Sequence, residues 1–167
     1  MFLPDALEKV LRSFEKYYNI DKENPTAPFA AEAAFFSHDE QYFLVRAARI
    51  SQSDAREYVF FALEDELDAQ TFERLDLAAW ETGMARTVAG PGHHRTDVAL
   101  VILTNRVSPD CVQKIRGRSH YKSYRFGLHG WSQYRLVVLE AEAGRALNNR
   151  LGADLAKLLG SMLEARS

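Results

Sequence analysis

The chain holds a single cysteine, Cys111, and none of its apolar runs approaches the ~18 consecutive residues that a membrane helix requires. The first absence excludes an intrachain disulfide and fits a reducing compartment, so a cytoplasmic location is expected. The second points to a chain that does not enter a bilayer. The opening Met1-Phe2-Leu3-Pro4-Asp5 lacks a basic segment followed by an apolar core, and no signal peptide is expected. Phosphate-cradling G-x-x-x-x-G-K and G-x-G-x-x-G loops are absent, as is a G-x-S-x-G elbow, and those enzyme classes lose support. A further absence is local: from Cys111 to Leu139 there is no Asp or Glu, while Lys114, Arg116, Arg118, Lys122, Arg125 and Arg135 fall inside that span of a chain whose net charge is -2.

What is present suffices for one domain spanning residues 1–167. A 47% hydrophobic chain of 167 residues buries roughly 70% of its unfolded surface without help from metal or disulfide. Leu7, Val10, Leu11, Phe14, Tyr17 and Tyr18 recur at helical spacing behind Pro4 and predict a first amphipathic helix. Phe29–Phe36, Gln41–Ile50 and Tyr58–Leu63 read as three strands of a meander, the last apolar throughout and so covered on both faces. Asp68 caps a second helix ringed by apolar residues, and Gly90-Pro91-Gly92 ends that region. Val98–Leu103 is the most strand-like run and is expected at the sheet centre. Ser108-Pro109-Asp110 starts a short helix whose N-terminal dipole would favour thiolate at Cys111, although burial as a small apolar residue explains that cysteine equally well. Tyr121–Leu128 and Gln133–Glu140 predict a second hairpin, with Gly130 supplying a positive φ in its turn. Leu151, Leu155, Leu158, Leu159 and Met162 mark the apolar face of a final helix. The expected fold is α+β: a mixed or mainly antiparallel sheet of about six strands with helices packed on it, in the order α-βββ-α-β-α-ββ-α.

The acid-free span mixes its cations with Tyr121, Tyr124, Phe126, Trp131 and Tyr134, a composition that can hold phosphate and stack on flat ligands. Solvated charge and capping of a helix C-terminus by Arg116 and Arg118 explain part of it without any ligand. If Tyr121–Leu128 is a strand, Lys122 shares a face with Tyr124 and Phe126, and Arg125 points the other way. His93 and His94 invite a metal, but neighbours in extended chain point oppositely, so no metal and no cofactor is expected; one histidine binding an anion or holding a loop is the better reading. The ligand-binding candidates are Arg116, Arg118, Lys122, Arg125, Arg135, Tyr121, Trp131 and His94, and no catalytic residue is assigned.

The segment Lys122-Ser123-Tyr124-Arg125-Phe126-Gly127-Leu128-His129-Gly130-Trp131-Ser132, with His94-Arg95-Thr96, Asn148 and Gly152, resembles an uncharacterised prokaryotic domain family. The resemblance spans most of the chain and implies no activity, so no catalytic residue is carried over; Gly130 and Trp131 then pin the hairpin turn against the core. The element order is also that of the restriction-endonuclease-like fold, whose active members place an Asp on the second strand and Glu-x-Lys on the third. Gln41–Ile50 has no Asp and Glu57-Tyr58-Val59 no Lys, so a chain of that fold would be catalytically empty. The expected function is a binding or regulatory module with a basic, aromatic hairpin surface for an anionic ligand or partner. The rivals are an inactive nuclease-like fold on nucleic acid, a dimeric chaperone-like interaction domain (with an acidic protein or a second copy as partner), and a small-molecule enzyme whose pocket joins the basic residues to His94 or Glu57.

Overall fold

The computed structural model describes residues 2–36 and 54–164. Its elements in chain order are α1 (Leu3–Phe14), β1 (Asn19–Asp21), β2 (Ala31–Phe36), β3 (Asp54–Leu67), α2 (Ala69–Arg86), β4 (His93–Val107), α3 (Pro109–Gly117), β5 (Tyr121–Ser123), β6 (Trp131–Glu140), β7 (Arg145–Asn148) and α4 (Ala153–Glu164). The α+β class and the mixed sheet expected from the sequence are both found. The sheet order is β1-β2-β3-β4-β6-β5, and β7 pairs with the later part of the β6 edge whose start pairs with β5. Strands β3, β4 and β6 are parallel, and the outer pairings are antiparallel.

Helices cover both faces. On one face Phe72, Leu75 and Ala79 of α2 and Cys111 and Ile115 of α3 pack on Phe60, Leu100, Leu136 and Val138. On the other, Leu7, Val10, Leu11 and Phe14 of α1 and Leu159 of α4 pack on Phe61, Val101, Val137 and Leu139. The three parallel strands are therefore buried on both sides, which is why Tyr58–Leu63, Val98–Leu103 and Leu136–Leu139 are continuous apolar runs instead of alternating ones. Gly83 lets α2 lie close on β4: a Cβ there would stand 2.4 Å from Val98 Cγ2.

Several sequence expectations change. The Gln41–Ile50 strand lies outside the described residues. β2 pairs directly with β3, Ala31 opposite Phe61 and Phe36 opposite Arg56. α2 is not wrapped by apolar contacts; it lies on one sheet face, with Leu77 exposed. Leu158 of α4 also points to solvent, and Ala156 and Leu159 make the buried contact. The expected strand Tyr121–Leu128 stops at Ser123, because Arg125, Phe126 and Gly127 have φ values of 48°, 54° and 89°, which no strand accommodates. Gly130 does take a positive φ, 81°.

Candidate functional site

The β5–β6 connection is built from its base outward. Tyr124 N donates to Gly130 O at 3.0 Å and His129 N to Tyr124 O at 3.1 Å, closing the loop; Gly127 N, Leu128 N and Gly130 N bond within it. His93, buried on β4, holds the base from below. Its Nδ1 donates to the His129 carbonyl at 2.7 Å, and its Nε2 meets the Thr96 hydroxyl at 2.8 Å. The Tyr124 ring stands edge-on to His93, and its hydroxyl meets Ser132 Oγ at 2.8 Å. Five backbone N–H groups of the loop are thus tied down, while the side chains at its tip are turned out. Phe126 is 103% exposed and Leu128 77%. Tyr121 is exposed beside them on β5, Arg125 is exposed in the loop, and the Lys122 ammonium sits 5.6 Å from the Tyr124 ring centroid.

The other cations of the acid-free span separate into two groups. Arg118 leaves α3 and bonds Glu73 Oε2 and Asp76 Oδ2 of α2, both at 2.8 Å, over the Phe72 ring. Its hydrogen bond with Glu73 holds it even further above neutrality than an ordinary arginine. Lys114 also reaches Glu73, at 3.7 Å. Arg135 lies on the α1/α4 face, 3.1 Å from Glu57 Oε2 and 3.7 Å from Asp97 Oδ2. Among the described residues no carboxylate pairs with Arg116, Lys122 or Arg125, all exposed. The sequence-derived candidates therefore do not form one surface. Lys122 and Arg125 belong to the β5–β6 hairpin; Arg116 is in the last turn of α3; Arg118 sits between α2 and α3; Tyr121 of β5 and Trp131 and Arg135 of β6 are on the α1/α4 face. His94 is placed on β4 by its backbone.

The register makes that last face specific. Glu57, Asp97, Gln133 and Tyr121 are mutual partners across β3, β4, β6 and β5, and Arg95, Trp131 and Ser123 form the adjacent row. Partnered residues point the same way, so the α1/α4 face turns polar where the parallel strands begin. Trp131 Nε1 donates to Gln133 Oε1 at 3.2 Å within this face. Tyr18, just beyond α1, donates to Glu57 Oε1. Burial, only partly opposed by Arg135 and the Tyr18 hydrogen bond, raises the Glu57 carboxyl above its usual value. Burial and the charge of Glu57 likewise hold the Tyr18 hydroxyl protonated.

The family of the chain is settled by a match over nearly its whole length, residues 4–161, to the model of a domain of unknown function, DUF8052. The chain belongs to that family. No curated protein and no solved structure matches it. The membership agrees with the resemblance to an uncharacterised domain family read from the Lys122–Ser132 segment, and it assigns no activity to this DUF8052 chain.

Sequence reasoning overlooked three features of this DUF8052 domain. His93 holds a loop, and its only sequence signal was its place beside His94. Asp76, 2% exposed, is buried in α2, where its Oδ2 meets Arg118 and, at 2.9 Å, His120 Nε2; His120 stacks on Trp80 at 5.0 Å. Burial opposes ionisation of Asp76, but the bond from His120 and the charge of Arg118 outweigh it and hold the carboxyl below its usual range. Asp97 is the third, buried in a strand that reads as apolar. The thiol of Cys111 departs from the helix-dipole expectation: it is fully buried and pushed up to about 11, by burial first and then by the charge of Asp110. Glu32, on β2, is partnered with Phe60 and so faces away from Glu57; it is committed to Arg86 and Thr26. A cleft of about 280 Å³ beside these residues is lined by Asn19, Asp21, Asn24, Glu32 and Arg86, and includes neither Glu57 nor the basic residues of the acid-free span. Among the described residues no three His, Cys, Asp or Glu side chains converge as metal ligands, and no helix is long and apolar enough to cross a membrane.

Proposed function

We propose that this domain is a binding module whose β5–β6 tip docks into an apolar pocket rimmed by carboxylates on a partner protein. The observation that carries the reading is Phe126: a fully exposed aromatic held at φ 54° in a loop whose backbone is closed by five hydrogen bonds. A non-glycine residue in that region costs on the order of 1–3 kcal/mol and exposes apolar surface for no gain in folding. A preorganised aromatic anchor beside an arginine is the composition of an interface hot spot, and a rigid tip lowers the ordering cost of association. Leu128 next to Phe126 favours an apolar pocket over stacking on bases, because an aliphatic side chain offers no ring face. Arg125 and Lys122 supply the charge that selects an acidic rim.

The test replaces Phe126 with a photo-reactive benzoylphenylalanine in the source cells, identifies the protein captured, and measures its affinity by calorimetry. The expected result is an acidic protein that binds the native domain more weakly as salt rises, with Phe126→Ser and Arg125→Glu each weakening it by about 30-fold or more. Leu158→Ser, on α4, should bind as the native domain does. Equal affinity for the native domain and Phe126→Ser overturns the proposal. Capture of a second copy of the chain replaces it with the dimer reading, and capture abolished by nuclease treatment replaces it with the nucleic-acid reading.

A further inference from the structure

α2 packs on β3 and β4, and its last residue, Arg86, reaches across to Glu32 of β2. Beyond Arg86 the cleft of about 280 Å³ opens toward β1. The register sets Asn19 opposite Ala34 and Asp21 opposite Glu32, so these four side chains share the face that lines it. Asn24, from the loop after β1, joins them, and the small side chain of Ala34 leaves the floor open. The charges in this cleft do not balance. Burial opposes ionisation of Glu32, but the hydrogen bond from Arg86 outweighs it and holds the carboxyl below its usual range. Asp21 stands directly opposite as a second carboxylate, a placement in which like charges repel. Among the described residues no cation pairs with it, and the adjacent Lys22 is taken by Glu8 at 3.3 Å. Two carboxylates against one guanidinium leave the cleft a single negative charge. Its hydrogen-bonding groups are unused as well. Asp21 Oδ1 accepts from Glu23 N at 3.0 Å and Asn24 N at 2.9 Å, which fixes the carboxylate and leaves Oδ2 over. The side chains of Asn19 and Asn24 make no hydrogen bond among the described residues.

We propose that this cleft binds a small molecule carrying one primary ammonium group. An ammonium has three N–H donors, and Asp21 Oδ2 with the carboxamide oxygens of Asn19 and Asn24 offers three acceptors. Its one positive charge balances the cleft. Arg86 decides what else the ligand carries. Its guanidinium, held by Glu32 and by Thr26 Oγ1 at 2.8 Å, closes the α2 end with positive charge and with donors left over. That end rejects a second ammonium and accepts a hydroxyl or ether oxygen. A free anion is disfavoured, because the one guanidinium is already paired and Asp21 is not. The volume lies just below the roughly 300–1,000 Å³ of ordinary ligand pockets, so the ligand is small. Amino alcohols and amino sugars share this chemistry. The cleft lies at the β1 end of the sheet and the hairpin tip at the β5 end, so the site stands whether or not the tip binds a protein.

The experiment is a two-dimensional NMR titration of the native chain at neutral pH with ethanolamine in one arm and glucosamine in the other. The expected result is saturable shifts of the amides of residues 19–24 and 32–34 with at least one probe, and the responding arm names the source. Choline, which has the charge without the N–H donors, and putrescine, which adds a second ammonium, should each bind at least about tenfold more weakly. Asp21→Asn keeps an oxygen for the N–H groups of Glu23 and Asn24 and removes the charge, and should weaken the responding probe by about tenfold or more. Ala34→Leu fills the cleft without altering its charge and should abolish the saturable shifts. Phe126→Ser should bind the probe as the native chain does. No saturable shift with either amine up to about 10 mM, the range of weak fragment binding, overturns the proposal. So does unchanged affinity in Asp21→Asn, or choline or putrescine matching the responding probe.

Discussion

Asp76 keeps its charge out of water because Arg118 and His120 replace the water lost from its Oδ2. Replacing it with Asn leaves Arg118 with Glu73 alone and removes the carboxylate that His120 meets. Asp76→Asn should lower the free energy of unfolding in urea at neutral pH by about 3 kcal/mol, within the usual cost of breaking a buried pair. The pH dependence has a definite sign. The folded carboxyl lies below its ordinary 3.8, so its contribution is present above 3.8 and is lost as pH falls through the folded value. The gap between native and Asp76→Asn domains should therefore close in acid; a gap that holds constant down to pH ~2 contradicts the account. Residues of this kind explain what the sequence could and could not convey. The acid-free span was visible at once, but Arg118 and Arg135 draw their carboxylates from Glu73, Asp76, Glu57 and Asp97, from 38 to 78 positions away. Local composition records where charges lie along the chain and not which of them are neutralised across it.

At the scale of elements, two connections carry most of what is unusual. The tip loop spends backbone strain to display Phe126. Asparagine accepts the left-handed region at less cost than phenylalanine, so Phe126→Asn should leave Tm unchanged or raise it by about 2 °C while removing the anchor; a fall in Tm by calorimetry would mean that Phe126 serves the fold instead. The second connection follows β7. β5 pairs with residues 131–133 of β6 and β7 with residues 137–140, which leaves the middle of that edge open. Asn149 fills it. Its Oδ1 accepts from Leu136 N and Gly152 N at 2.9 Å, and its Nδ2 donates to the Tyr134 and Arg118 carbonyls at 3.0 Å. The side-chain amide thus stands in for the missing strand residue. Asn149→Ala strands three backbone groups, Gly152 N keeping the carbonyl of residue 149, and should cost about 3 kcal/mol in denaturant unfolding, and Asn149→Asp nearly as much, because a carboxylate cannot donate to the two carbonyls. Neither connection was legible beforehand. Alternating residues at 121–128 imitate a strand, and the left-handed backbone at Arg125 and Phe126 carries no residue-type signal of its own; Asn149 has only Gly152 nearby in sequence, and the partners that define its role lie 13 to 31 positions away.

The whole molecule was read more successfully than its sites. Apolar runs on β3 and β4 announced a sheet covered on both faces, and the Pro109 start, the Asp68 cap and the Gly130 turn were each found where local chemistry put them. Parallel pairing of β3, β4 and β6 was not visible, since a double-covered strand looks the same whichever way its neighbour runs. The resulting order in space, β1-β2-β3-β4-β6, follows the order in the chain. A growing polypeptide would therefore meet, at each of these strands, a neighbour that has already been synthesised. β5 is the exception. It precedes β6 in the chain but pairs only with β6, so the segment bearing Phe126 has no template until Trp131–Gln133 has docked against β4. The exposed tip is consequently one of the last parts of the domain to take shape on the ribosome, and its apolar display is withheld until the rest of the sheet is there to support it.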